Sequence, residues 1–149
     1  MSHVKLVIRA VRWLANTQRC SIVMSELVTS ACESPDAIGW RSRGVECVYV
    51  ECKTSVADFH ADKRKTSRRH TRMAMGHFRY YFTPPGLLNV QHLPEGWGLV
   101  EVDKRCRIVK KATRLESNSQ QELAMFYSAA HRWAHDNVRV FAVPEDQRE

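Results

Sequence analysis

The sequence predicts an α/β fold in which helices flank a mixed β-sheet. Three observations carry that prediction: the order of the periodic segments, a strand apolar on both faces, and a length suited to one domain. The segments run helix, three strands, helix, strand, hairpin, helix, an order in which strands share a sheet and helices cover it. At 149 residues the chain can bury one core but not two, so residues 1–149 are expected to form a single domain. Hydrophobic content of 44% and charged content of 26% are those of an ordinary globular chain and argue against wholesale disorder.

Val4, Val7, Val11 and Leu14, widened by Ile8, recur at helical spacing while Lys5, Arg9 and Arg12 fall elsewhere on the wheel. The spacing predicts an amphipathic helix over 3–16, ended by Asn16-Thr17-Gln18. Residues 20–28 are rich in β-branched side chains and read as a strand. After a break at 29–35 a second strand is expected over 36–40, and Arg41-Ser42-Arg43-Gly44 has the polarity and the glycine of a turn.

Residues 45–53 form the clearest strand. The odd positions (Val45, Cys47, Tyr49, Glu51, Lys53) and the even ones (Glu46, Val48, Val50, Cys52) are both largely apolar at mid-strand, as a central strand covered on each side requires. Ser55-x-x-Asp58 resembles a capping box and opens a helix expected to reach the basic segment near 69. The aromatic run 78–82 reads as a strand stopped by Thr83-Pro84-Pro85-Gly86. Residues 98–103 and 107–111 read as a hairpin across Lys104-Arg105-Cys106. Ser119-x-x-Glu122 predicts a last helix with Leu123, Phe126, Tyr127, Ala130 and Trp133 on its apolar face, followed by a short edge strand at 138–143.

Lys and Arg number 23 against 16 Asp and Glu, a formal net charge of +7. A basic chain attracts polyanions, nucleic acid being the commonest, at a rate that falls as salt rises. No apolar run reaches membrane-spanning length, because charged residues interrupt every candidate, so no membrane partner is expected. Arg9 and Arg12 break the stretch a signal peptide would need. Five cysteines, none in a C-x-x-C pair, argue against a disulfide framework or zinc finger and favour the reduced cytoplasm.

Residues two apart on a strand point the same way, so Glu51 and Lys53 project from one face. If strands 36–40 and 45–53 pair around the Gly44 turn, Asp36 arrives beside Glu51. Two carboxylates brought together repel, and a divalent cation relieves the repulsion; magnesium typically takes one or two carboxylates and keeps water for its other positions. Lys53 would then face a phosphate or the attacking water, and could act as a base if its surroundings depressed its pKa. That set of groups fits phosphodiester hydrolysis. A lone Glu-x-Lys is common. The reading sharpens because Pro-Asp opens the preceding strand, the spacing fits a hairpin, and a capped helix follows at once.

Pro35-Asp36 followed by Glu51-Cys52-Lys53 resembles the signature of the PD-(D/E)xK nuclease superfamily, whose fold is restriction-endonuclease-like. The longer stretch Glu51-Cys52-Lys53-Thr54-Ser55-Val56-Ala57-Asp58-Phe59-His60-Ala61-Asp62-Lys63 is similar to MmcB-like DNA repair proteins and to small phage-borne relatives. Arg79-Tyr80-Tyr81-Phe82 with Pro84-Pro85, and Leu93-Pro94 leading to Trp97-Gly98-Leu99, extend the likeness over residues 20–112. The resemblance implies a metal-dependent deoxyribonuclease, an endonuclease rather than an exonuclease, in repair, recombination or phage DNA processing. It implies the cytoplasm of a bacterium or of a phage-infected host. Asp36 and Glu51 would be ligands of Mg2+ (Mn2+ as a substitute), Lys53 the catalytic lysine, and Glu26 an accessory acid. Glu33 competes with Glu26, which is preferred because it sits among apolar residues, where a charge needs a reason. The alternative is a non-catalytic DNA-binding or repair-accessory module that keeps the fold.

Asp58 and Asp62 are four apart on one helical face; capping accounts for Asp58, while Asp62 either supports Lys53 or pairs with nearby cations. Lys63, Arg64, Lys65, Arg68, Arg69 and Arg72 crowd six cations into ten residues and are the expected DNA-backbone contacts. Duplex cutting would need two sites and invites a homodimer, for which the sequence shows no interface.

Overall fold

A six-stranded sheet in sequential order organises the computed structural model, which describes residues 1–25 and 34–133. Its strands are β1 (Ile22–Ser25), β2 (Ala37–Arg41), β3 (Glu46–Cys52), β4 (Phe78–Thr83), β5 (Gly98–Val102) and β6 (Cys106–Lys110). β3 pairs with β4 and β4 with β5 in parallel, and the remaining neighbours are antiparallel. With α1 (His3–Asn16), α2 (Val56–Lys63), α3 (Thr66–Arg69) and α4 (Ser119–Trp133), the described residues form one α/β domain with a mixed sheet flanked by helices, as expected. The expected strand 20–28 starts two residues late, at Ile22, while its residues 26–28, Glu26 among them, together with Glu33 and the expected strand at 138–143, lie outside the described residues. No helix among the described residues is long and apolar enough to cross a membrane.

The period-two alternation of β3 divides the core. Val48, Val50 and Cys52 join α1 and the inward residues of β4 and β5 in one apolar cluster. Cys47 and Tyr49 join Trp40, Phe59, Tyr81, Trp97 and Met125 in the other. Both faces of β3 are therefore covered, which is why the strand carries few polar residues. β6 closes one edge with Ile108 and Val109 exposed between Arg107 and Lys110, charges that discourage edge-to-edge pairing.

Three local expectations need correction. The buried stripe of α1 is Leu6, Val7, Ala10, Trp13 and Leu14, whereas Val4 and Ile8 are exposed. Trp13 sets this rotation, because its ring meets the edges of Tyr80 and Phe82 at 5.2 and 5.0 Å. The helix opened by Ser55, whose Oγ accepts from the Asp58 N–H as expected, does not run to residue 69. It stops at Lys63 and restarts as the short α3. In an unbroken helix residues 62 and 68 would lie on different faces, at ~100° per residue, so only the break lets Arg68 fold back onto Asp62. Finally, α4 is capped by Asn118, whose Oδ1 accepts from the Gln121 N–H, rather than by Ser119. The Glu122 carboxylate is already taken by Trp40 Nε1 and Ser117 Oγ, both at 2.7 Å. Met125 is the buried residue of that helix, while Leu123 and Tyr127 face out.

The chain between α3 and β4 is held by Arg79, fully buried on β4. Its guanidinium donates to the carbonyl oxygens of Thr71, Gly76 and Glu116 at 2.8–2.9 Å. Gly76 makes the turn at φ +96°, where a Cβ would also stand 2.6 Å from that of Tyr49.

Candidate active site

The antiparallel register of β2 and β3 pairs Ala37 with Val50, and its continuation sets Asp36 opposite Glu51. Asp36 immediately precedes β2, and its Oδ2 accepts the Cys52 N–H at 2.7 Å. Its Oδ1 lies 3.3 Å from Nε2 of His3, delivered by the first turn of α1. Glu51 is 4% exposed. Lys53 follows β3 directly, its backbone N–H bonded to the Phe82 carbonyl at 2.9 Å, and its Nζ reaches Glu51 Oε1 at 2.8 Å. Glu51 and Lys53 therefore do share one face, and Lys53 is turned inward.

A second layer, which the sequence only partly exposed, stands behind them. Asp62 on α2 is 2% exposed and accepts from Arg68 at two points, Nε to Oδ2 at 2.9 Å and Nη2 to Oδ1 at 3.1 Å. It also accepts the Tyr81 hydroxyl at 2.6 Å and the Lys65 ammonium at 2.8 Å, with Lys53 Nζ at 3.6 Å. Tyr49 donates its hydroxyl to Glu51 Oε2 at 3.3 Å and in turn accepts from Arg68 at 3.4 Å. The Arg68 guanidinium lies over the rings of Trp97 and Tyr49, 4.7 and 5.4 Å from their centroids. Asp62 thus proves to be the anchor of the site. The expected contact of Asp62 with Lys53 and with nearby cations is present. Its sequence position did not show that Arg68 and Tyr81 would be its main partners, because Tyr81 arrives only through the parallel β3–β4 pairing and Arg68 only through the helix break.

The ionisation of these groups follows from their crowding. Burial, then the nearby Asp36 and Asp62 carboxylates, push the Glu51 carboxyl up, against Lys53 and Arg68. Burial works against the Lys53 ammonium, but Glu51, Asp62 and Asp36 outweigh it and raise Lys53 above the usual lysine value. The depressed pKa that a lysine base would need is therefore not what this environment produces, and Lys53 stands as a firm cation. Burial also opposes the Asp62 carboxylate, yet Arg68, Lys65 and Tyr81 hold its carboxyl well below the ordinary range. Burial and the adjoining Asp62 carboxylate push the Tyr81 hydroxyl far up, so it remains a donor.

A cleft of about 310 Å³ opens over this cluster, lined by His3, Lys53, Asp58, Asp62 and Lys65 among others. Among the described residues no three His, Cys, Asp or Glu side chains are gathered as a metal cage. Asp36 and Glu51 offer two hard-oxygen donors whose mutual repulsion already raises Glu51. That set fits magnesium, which keeps most of its waters, and does not fit zinc, which needs three or four protein ligands.

Of the six cations expected to meet DNA, Lys63, Arg64, Lys65, Arg69 and Arg72 are exposed and Arg68 is not. The Arg68 side chain is 1% exposed and its guanidinium is engaged with Asp62, so it is unavailable to a phosphate backbone and leaves the list. Arg72 pairs with Glu116 at 3.2 Å on the surface. Glu26, the expected accessory acid, lies outside the described residues.

No protein-family model matches this chain, and no curated protein matches it. Among solved structures it is similar to a protein of unknown function from Silicibacter pomeroyi, with a TM-score of 0.64 over 89% of this chain and 90% of the other. The two are 21% identical, so what they share is the fold.

Proposed function

We propose that this protein is a magnesium-dependent deoxyribonuclease of the PD-(D/E)xK kind, cutting within DNA in a repair, recombination or phage DNA-processing role. The observation that carries the reading is the meeting of Asp36, Glu51 and Lys53 at one end of β2 and β3, beside an open cleft that Lys53 lines. Asp36 and Glu51 would hold Mg2+, or Mn2+ in its place. Magnesium bound there supplies Lewis-acid polarisation of a phosphoryl oxygen and a more acidic bound water. Lys53, kept cationic by its carboxylate neighbours, offsets negative charge as it builds on the phosphoryl oxygens. Asp62, locked by Arg68 and Tyr81, keeps Lys53 from swinging into solvent. The exposed cations on α2 and after it draw the DNA backbone toward the cleft.

The test is cleavage of a panel of single-stranded, duplex, branched and nicked DNAs with magnesium or manganese. We expect at least one substrate to be cut, and Asp36→Ala, Glu51→Ala and Lys53→Ala each to abolish cutting while retaining a cooperative unfolding transition. Activity undiminished in all three variants overturns the site. One observation favours a second reading, a DNA-binding accessory module: both Glu51 oxygens already face cations, Oε1 on Lys53 and Oε2 on Arg68, and Asp62 pairs with Arg68 and Lys53. Salt-sensitive DNA binding that persists in chelator, with none of the panel cut, decides for that module.

A further inference from the structure

Resting on the active-site reading above, we infer that Lys65 is a second phosphate-binding lysine of the site, and that Asp62 positions it beside Lys53 so that the two ammonium groups grip one backbone phosphate of the DNA. Lys65 belongs to a run whose other exposed members, Lys63, Arg64, Arg69 and Arg72, lie on the surface. Its own ammonium instead turns back over the cleft, 2.8 Å from Asp62 Oδ1 and 3.8 Å from Glu51 Oε1. Lys53 touches the same two oxygens in the opposite order, 2.8 Å from Glu51 Oε1 and 3.6 Å from Asp62 Oδ1. Two carboxylate oxygens thus hold two ammonium groups as neighbours.

That arrangement needs a reason, since like charges so close repel. Burial does not supply one, because the Lys65 side chain is 55% exposed and free to extend into water. Nor does Asp62 require it, for Arg68 and Tyr81 already bond both of its oxygens. Lys53 for its part already has Glu51. Arg68, Lys53 and Lys65 set three cations against the carboxylates of Glu51, Asp62 and Asp36, so the two lysines share their counterions with each other and with a guanidinium. An anion presenting two oxygens a short distance apart relieves the repulsion of the paired ammonium groups, and a phosphodiester is such an anion. Asp62 touches no substrate in this scheme; it is a positioning residue whose two-point bond to Arg68 fixes where both lysines stand.

The experiment titrates the whole protein with inorganic phosphate by calorimetry, comparing wild type with Lys65→Ala, Lys65→Arg and Lys111→Ala. Lys65 and Lys111 are exposed, so the fold is kept in each. Wild type is expected to bind phosphate, Lys65→Ala to lose about tenfold in affinity, Lys65→Arg to recover part of it, and Lys111→Ala to match wild type. Lysine acylation read by mass spectrometry is a second measurement, in which phosphate is expected to shield Lys65 but not Lys111. Absence of phosphate binding by wild type, an unchanged affinity in Lys65→Ala, or equal shielding of both lysines overturns the inference. Phosphate binding without any DNA cleavage would leave it standing while the nuclease reading falls. Cleavage by a Lys65→Ala protein with wild-type kcat and KM would do the reverse.

Discussion

Arg68 grips Asp62 at two points inside the protein, at 2.9 and 3.1 Å, although the two residues would face different ways in a continuous helix. A basic residue in a cationic run has thereby become the internal counterion of the candidate site. Removing it takes the two-point bond from a buried carboxylate and leaves it Tyr81 and the two lysines, and a buried pair broken on one side typically costs about 3–5 kcal/mol, here toward the lower end. Arg68→Ala should lose stability on that scale in urea denaturation, whereas Arg64→Ala should stay within about 0.5 kcal/mol of wild type. Equal midpoints for the two variants would contradict the buried pair.

Glu51→Gln should separate stability from activity. Burial, Asp36 and Asp62 raise the folded-state pKa of Glu51, so the folded protein holds a proton that the unfolded chain releases above about 4.3. Wild type therefore loses stability as pH rises through the raised value, and a glutamine, which cannot ionise, does not. At neutral pH the variant should show the higher denaturation midpoint, with the gap closing toward about pH 4, and it should not cleave DNA with magnesium. A lower midpoint at neutral pH would refute this.

His77 carries the opposite sign. Its Nδ1 accepts the Cys47 N–H at 3.0 Å, which only an unprotonated nitrogen does, and burial followed by Arg114 lowers its pKa. The unfolded chain takes up a proton near about 6.5 that the folded protein resists, so stability present above that pH is lost as pH falls through the depressed value. Urea midpoints should drop between about pH 7 and pH 5, and His77→Gln should drop less. Parallel pH profiles for the two proteins would exclude His77 as the source.

The exposed cations should act on DNA through phosphate contacts alone. Lys63→Ala, Arg64→Ala and Arg69→Ala should each weaken binding to all sequences alike and reduce the slope of log K against log salt by about 1. Binding measured across a salt series gives the slope. Three unchanged slopes would place the DNA elsewhere on the molecule.

What the sequence determined by itself was whatever depends on near neighbours along the chain. The period of two in residues 45–53 put Glu51 and Lys53 on one face and Cys52 on the other, and the structure keeps that division through the whole sheet. The Gly44 turn brought strands 36–40 and 45–53 together in the register that sets Asp36 opposite Glu51, and Ser55 capped the helix that follows. Only the tertiary structure decided which helix face is buried and which charges meet. On α1 Val7 and Leu14 kept their inward place while Val4 and Ile8 lost theirs to Leu6, Ala10 and Trp13, because a large ring packing on Tyr80 and Phe82 outweighs a tidy period. Arg68 was indistinguishable from its basic neighbours, Tyr81 from any strand aromatic, and His3 from any helix terminus. Each acquires its partner from a segment distant in sequence or across a break in a helix, and a buried charge takes whichever counterion the completed fold brings within reach.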